Sequence, residues 1–368
     1  MKKILLLAGV LLSLTGFTQR HLITSPSGGN KKAGVTERIG ITDVTIHYDR
    51  PTVKGREGKI WGGTVQGGFF DQQFGTSKAA PWRAGANEST TIEFSTDVKV
   101  EGQDLAAGKY GFFIAYGPDE CTLIFSRNTT AWGSFYYNDK EDVLRVKVKP
   151  VALDRSVEWL KYEFTNETEN AATVNLMWEK LDIPFRVEVD LNKTQVASFR
   201  RELQTDIGFF WLAWQTAAQW CVDHNTNLEE ALLWADTSTN PNILGQRNFQ
   251  SLSTKAQVLA KLGRDKEAED VMKDALPMAT MAEVHAYGRQ LLAQKKGKQA
   301  LDVFRMNYDK HPTEFTTIMG MARGYSAVGD YKNSLEFLQK AQPLSPNAVN
   351  TQNITRMMDL LKQGKDIN

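Results

Sequence analysis

Apolar and polar residues alternate with a period of two over short stretches in the first half of the chain, then with a helical period in the second. Val44, Ile46 and Tyr48 alternate with Thr45 and His47. The same alternation returns at Thr91–Phe94, Asp97–Val100, Cys121–Leu123, Arg145–Val148, Thr173–Leu176 and Phe185–Val189. Each stretch reads as a half-buried strand. Glycine, asparagine and aspartate separate them, as in Val100-Glu101-Gly102-Gln103-Asp104 and Tyr116-Gly117-Pro118-Asp119, and supply turns. Many short strands punctuated in this way predict an antiparallel β-sandwich over residues 37–192.

Beyond Val189 the alternation stops. Residues 193–206 read as a junction and 207–368 as an α-solenoid of helical hairpins. The segments Gly263–Ala268, Lys295–Ala300 and Gly329–Ser334 align with spacings of 32 and 34 residues. In that register small residues recur at Ala256, Gly288 and Ala322, and prolines close units at Pro312 and Pro346. The period and the small residues resemble the tetratricopeptide repeat, a helix-turn-helix unit that buries its apolar face by stacking on a neighbour. The resemblance covers 249–346. It departs at Leu252, Val284 and Ile318, where an aromatic would stand, and at Thr280, where a proline would. An earlier hairpin is expected from Ile207 to Trp234, with Trp211, Trp214 and Trp220 at core spacing. The tail from Asn350 to Lys362 is expected to cap the stack.

The N-terminus sets the expected compartment. Met1-Lys2-Lys3, an apolar run from Ile4 to Leu14, and Thr15-Gly16-Phe17-Thr18 have the layout of a secretory signal peptide over residues 1–18. The run is well short of the roughly 18–20 apolar residues that span a bilayer. A flexible leader is expected over 19–36. The expected product is periplasmic or secreted, with no membrane span after signal cleavage.

Charge and cysteine usage narrow the chemistry. With 44 basic and 43 acidic residues and no block of like charge, the chain has no electrostatic footprint for nucleic acid. Cys121 and Cys221 fall in different domains and read as two separate buried thiols. His21, His47, His224, His285 and His311 lack metal-site spacing, so neither a metal nor a cofactor is expected. Nucleophile-elbow, phosphate-loop, dinucleotide and metal-protease motifs are absent from the sequence.

The densest polar cluster is Trp82-Arg83-Ala84-Gly85-Ala86-Asn87-Glu88, preceded by a long glycine-rich segment from Asp49 to Pro81. Loops of this length are usually functional or disordered, and Trp61, Phe69, Phe70 and Phe74 favour ordered packing here. Arg50, Arg56 and Arg83 could converge on an anionic group, since guanidinium forks hold carboxylate or phosphate bidentately. Trp61 and Trp82 could stack on a sugar or an arginine. Tyr48 and Asn87 complete the candidate ligand-binding set, with Glu88 and Asp49 as candidate acid and base. The competing reading is architectural: an Arg83–Glu88 ion pair, a turn tied by Asn87, and core tryptophans.

Taken together, Tyr48-Asp49-Arg50-Pro51, Lys54-Gly55-Arg56, Trp82 to Glu88, Val100-Glu101-Gly102 and Leu105-Ala106-Ala107-Gly108-Lys109-Tyr110 resemble an exported β-rich family of Bacteroidetes. That family is catalogued as domain of unknown function 2911. The resemblance spans Ser25 to Leu191, although the segment from Gly63 to Pro81 is expanded. It implies a fold and a compartment, and the family has no assigned reaction.

The leading expectation is an exported, non-catalytic binding protein. Its sandwich would hold a small polar, anionic or glycan-derived ligand, and its repeats would dock a protein partner. The alternatives are a hydrolase acting on a polysaccharide or cell-wall fragment, and a structural partner protein with no ligand site.

Overall fold

The computed structural model describes residues 30–368. The expected signal peptide and most of the expected leader lie outside the described residues. The chain divides into two units, 1–194 and 195–368.

Ten strands build the N-terminal unit: β1 (Lys31–Ile39), β2 (Thr42–Arg50), β3 (Thr90–Phe94), β4 (Val98–Val100), β5 (Gln103–Leu105), β6 (Gly108–Ala115), β7 (Cys121–Ser126), β8 (Asp142–Val148), β9 (Val151–Thr165) and β10 (Ala171–Glu188). They form a six-stranded sheet in the order β1-β2-β3-β6-β7-β8 and a four-stranded sheet in the order β5-β4-β10-β9. Every strand pairing is antiparallel. Alternate residues of both sheets meet in one core. Ile46, Ile92, Phe112 and Phe125 face Leu160, Leu176, Trp178 and Phe185. Each large apolar side chain so buried contributes roughly 1.5–3 kcal/mol. The unit is an antiparallel β-sandwich.

Two features differ from the expected pattern. β1 begins at Lys31, inside the segment expected as leader through residue 36, and pairs with β2 along its whole length. Its outward positions are polar enough to read as linker. β6 ends in six consecutive buried residues and shows no alternation, because both of its faces are covered. Phe112 enters the central core, while Phe113 joins Ile124 and Tyr137 in a smaller cluster.

Residues 51–89 form no regular strand, yet they are ordered. Isolated backbone pairings pin Thr52 to Trp159, Gly67 to Tyr116, Phe70 to Ala80, Trp82 to Ile114 and Glu88 to Trp132. Trp61 packs at the core edge, whereas Phe69 and Phe74 lie outside the core and are largely exposed.

The C-terminal unit is helical. A helix, α1 (Leu191–Glu202), occupies most of the expected junction, and the division between units falls within it. Then come α2 (Trp211–Asp223), α3 (Leu228–Thr239), α4 (Phe249–Lys261), α5 (Asp265–Ala275), α6 (Met281–Ala293), α7 (Gly297–Lys310), α8 (Phe315–Ala327), α9 (Tyr331–Ala341) and α10 (Ala348–Lys362). The pairs α2/α3, α4/α5, α6/α7 and α8/α9 are four hairpins, and α10 packs on α9 at the end. The stack is tetratricopeptide-like, with α4, α6 and α8 starting 32 and then 34 residues apart.

Local chemistry explains the register. Thr280, in place of the repeat's proline, accepts the Glu283 N–H while Glu283 accepts the Thr280 N–H, which starts α6 with a reciprocal cap. The Phe304 ring of α7 fills the space a side chain would need at Gly288 and Gly320, where an added Cβ would lie 2.4 and 2.7 Å from it. That is why only glycine fits at those points of α6 and α8. Trp214 and Trp220 pack at the margin of the first helical core, and Trp220 stacks on His224 at 3.9 Å. Cys121 and Cys221 are both buried free thiols. Among the described residues no helix is long and apolar enough to cross a membrane.

Candidate functional site

The polar cluster of the sandwich is assembled mainly from groups that satisfy one another. Arg50, at the end of β2, donates its Nε to the Leu160 carbonyl at 2.8 Å and lies over the Trp159 ring. Arg56 donates to the Val53 carbonyl at 3.0 Å, to the Thr52 carbonyl, and to Thr64 Oγ1 at 3.3 Å. Arg83 donates to the Asn87 carbonyl at 2.8 Å and rests on the Phe135 ring. An added Cβ at Gly133 would stand 2.7 Å from the Arg83 guanidinium carbon, so glycine lets the cation pass. Burial pulls the Arg83 pKa below its usual value. The three guanidiniums serve separate carbonyls, two sets in irregular backbone and one on β9, and do not converge.

The aromatic members are interior. Trp82 is 8 % exposed, stacks on Trp178, meets Trp61 edge-on, and donates Nε1 to the Gly85 carbonyl at 3.2 Å. Tyr48 packs edge-on to Tyr162, and its hydroxyl accepts the Tyr162 N–H at 3.2 Å. The Tyr162 hydroxyl and Thr90 Oγ1 both donate to the Ala84 carbonyl, at 2.8 and 3.1 Å. Ala84 and Asn87 hold left-handed backbone, with φ of 53° and 56°. Such strain persists only where surroundings over-determine it.

Asp49 and Glu88 do come together. The two carboxyls are near enough to shift one another's titration, and Lys32 of β1 lies 2.7 Å from Glu88 Oε1 and 3.9 Å from Asp49 Oδ2. Asp49 Oδ1 and Glu88 Oε2 are buried with no donor on either, an arrangement that favours keeping one of the two neighbouring acids protonated. Burial, then the adjacent Glu88, push Asp49 up to about 6. The hydrogen bonds from Asp49 and then Lys32 hold Glu88 down to about 2. Glu88 therefore pairs with Lys32 and Asp49 in place of the expected Arg83. The arrangement clasps β1 to the cluster.

The helical unit presents the opposite situation. α4 packs on α2, α3 and α5, and α6 packs on α7 and α8, but α4 and α6 stand apart. Between them lies a cavity of about 260 Å³. Phe249, Ala256, Met272, Tyr287 and Leu291 supply its apolar wall, Gln257, Gln290 and Gln294 supply amides, and Asp265, Glu269 and Glu283 also line it as carboxylates. Tyr287 touches the cores on both sides of the gap.

Eight residues into α4, α6 and α8 stand Gln257, Arg289 and Arg323. Burial first, then repulsion from Arg289, pulls Arg323 down to about 10, and Arg356 of α10 adds to that repulsion. Asp366 is the one carboxylate that opposes it, and its Oδ1 already accepts from Ser326 and Asn368. Among the described residues none of the three guanidiniums donates a hydrogen bond or joins an ion pair. Nearby, His285 of α6 is lowered to about 4 by burial and then by Arg289 and Arg323, and its Nδ1 has no partner. These helical positions carried a sequence signal in their 32- and 34-residue recurrence. That signal was absorbed in finding the repeat.

Residues 30–187 match a protein family described as protein of unknown function (DUF2911). The β-sandwich is therefore the matched part. No curated protein matches the chain. Among solved structures, MamA residues 41-end from Desulfovibrio magneticus RS-1 is 20 % identical, covering 42 % of this chain and 86 % of its own, with a TM-score of 0.31. YrrB, a TPR protein with an unusual peptide-binding site, is 15 % identical, covering 47 % of this chain and 87 % of its own, with a TM-score of 0.31.

Proposed function

We propose that the chain is an exported binding protein whose helical unit docks an extended acidic segment of a protein partner. The observation that carries this reading is the set Arg289, Arg323 and Arg356, whose guanidiniums donate to no protein group among the described residues, with Arg289 and Arg356 repelling Arg323 against the single carboxylate of Asp366. Like charges so placed are costly until an anion arrives. Carboxylates of the partner neutralise them, and an apolar side chain of the same segment enters the α4–α6 cavity. The amides of Gln257, Gln290 and Gln294 suit the partner's peptide groups. Export follows from the signal-like sequence of residues 1–18.

The test is fluorescence anisotropy of the full chain with a labelled Glu/Leu peptide and its Lys/Leu counterpart. The acidic peptide binds, weakens with salt, and loses about tenfold affinity in Arg323→Ala. Equal affinity for the two peptides, or indifference to Arg323→Ala, refutes the docking reading. Cell fractionation of the expressed chain checks export separately: an uncleaved cytoplasmic product overturns it.

A further inference from the structure

The sandwich carries a second, chemically different feature away from its polar cluster. Between loop 69–79 and the segment from Asn128 to Arg145 lies a trough of about 670 Å³, within the range of small-ligand pockets. Phe69 is 42 % and Tyr136 50 % exposed along it, and Phe74 and Trp132 are comparably exposed. Phe74 meets Tyr136 edge-on at 6.4 Å. Most aromatic rings of this unit are core, so exposed rings gathered in two neighbouring segments call for an occupant.

The walls are preformed. Phe70 and Ala80 exchange backbone hydrogen bonds, and the Thr76 and Ser77 N–H groups both donate to the Phe135 carbonyl, at 3.1 and 3.0 Å. Gly75 (φ +76°) approaches Phe135 so closely that an added Cβ would lie 2.3 Å from its carbonyl oxygen. Gln72 Nε2 donates to Ser134 Oγ at 2.7 Å. Arg145 is held by Asp142 and the Tyr137 hydroxyl, and its guanidinium lies over the Phe69 ring.

The unspent polar groups define the ligand. Asn128 Oδ1 accepts the Thr130 N–H at 3.3 Å and Asn138 Oδ1 accepts the Lys140 N–H at 3.2 Å, which fixes each amide with its NH2 donating nowhere among the described residues. Asp139 and Glu141 line the trough and join no ion pair there. Lys78 and Arg145 are neutralised by Asp71 and Asp142. An anion is disfavoured by the two free carboxylates. A cation leaves the two amide NH2 groups without acceptors. Hydroxyls answer both needs, since each donates and accepts, and a pyranose ring adds an apolar C–H face for an aromatic platform.

We propose that this trough binds a neutral oligosaccharide, one ring against Tyr136 or Phe69, with hydroxyls shared among Asn128, Asn138, Asp139 and Glu141. The test is calorimetric titration of the full chain with β-1,4- and α-1,4-linked glucose hexaoses, a β-1,4-linked mannose hexaose and a β-1,4-linked N-acetylglucosamine hexaose, with hexalysine as the rival probe. At least one hexaose binds with a dissociation constant of about 1 mM or tighter. Tyr136→Ala weakens that binding about tenfold, Tyr136→Phe preserves it, and Glu141→Gln weakens it at unchanged thermal stability. The proposal is overturned if none of the four hexaoses binds, if binding ignores Tyr136→Ala, or if hexalysine binds instead. Because the trough lies wholly in the sandwich, loss of acidic-peptide binding through Arg323→Ala leaves this result unchanged.

Discussion

Two sets of three arginines put the same side chain to opposite uses. In the sandwich, Arg50, Arg56 and Arg83 donate to backbone carbonyls at 2.8–3.0 Å. In the helical unit, Arg289, Arg323 and Arg356 donate to no protein group among the described residues. The difference follows from the backbone around each set. Residues 51–89 run outside any regular sheet ladder, so the carbonyls of Thr52, Val53 and Asn87 take side-chain donors, and Arg50 serves the Leu160 carbonyl of β9 beside that segment. A helix closes its own hydrogen bonds, and an arginine on its surface has no backbone group to serve. Guanidinium density alone therefore does not mark a binding site, because only guanidiniums without protein acceptors are free to take an outside one.

The contrast breaks most visibly in the core beneath the first set. Trp82→Ala removes a ring stacked on Trp178 and edge-on to Trp61, and is expected to destabilise the sandwich by about 3–5 kcal/mol in urea unfolding. A loss under 1 kcal/mol would mean that the cluster is not built on those tryptophans. Next in size is Arg56→Met, which keeps the apolar stem and strips the donors from the Thr52 and Val53 carbonyls. The expected loss is about 2 kcal/mol. An unchanged midpoint would place Arg56 with the unspent set.

How much of this was legible follows the same line. Strands with one wet face, such as β2 and β8, announced themselves by alternation, and the helical hairpins by their recurrence. β6 did not, because Phe112 and Phe113 are both buried, one in each apolar cluster. The motif from Trp82 to Glu88 was visible as a cluster, but its role depended on the carbonyls of Ala84, Gly85 and Asn87, which no side-chain pattern reports. Asp49 and Glu88 were singled out together as candidate acid and base, and the fold sets them side by side. Their contact with Lys32 was hidden because β1 resembled a leader. The trough was missed since Asn128 lies in an irregular segment and Asn138 caps and Glu141 ends a single 3-10 turn, too short to show periodicity.

The carboxyl pair gives a pH-dependent version of the comparison. Asp49 has a raised folded pKa, so its contribution is complete below its usual value of 3.8 and is lost as pH rises through about 6. Glu88 has a depressed one, so its contribution is present above its usual value of 4.5 and is lost as pH falls through about 2. The clasp therefore holds best in mild acid, between those limits. Asp49→Asn keeps a donor toward Glu88 at every pH and abolishes the upper limb. Relative to Asp49→Asn, the natural chain is expected to lose about 1 kcal/mol between about pH 5 and about pH 8, a figure discounted for solvent screening. Parallel pH profiles for the two proteins would show that no proton is shared there.

The smallest effect is the most telling for the second arginine set. Arg323→Met retains the buried stem and deletes a charge that burial and then Arg289 and Arg356 disfavour, against the single attraction of Asp366. Where Arg56→Met costs stability, Arg323→Met is expected to leave it unchanged or to raise it by about 0.5 kcal/mol. Added salt should narrow that gap, because it screens the repulsion in the natural chain and has less to screen in the variant. If Arg323→Met instead costs as much as Arg56→Met, its guanidinium is structural and both sets do one job. A gain in stability coupled to a loss of acidic-peptide binding means that the fold tolerates an unfavourable charge for the sake of its partner.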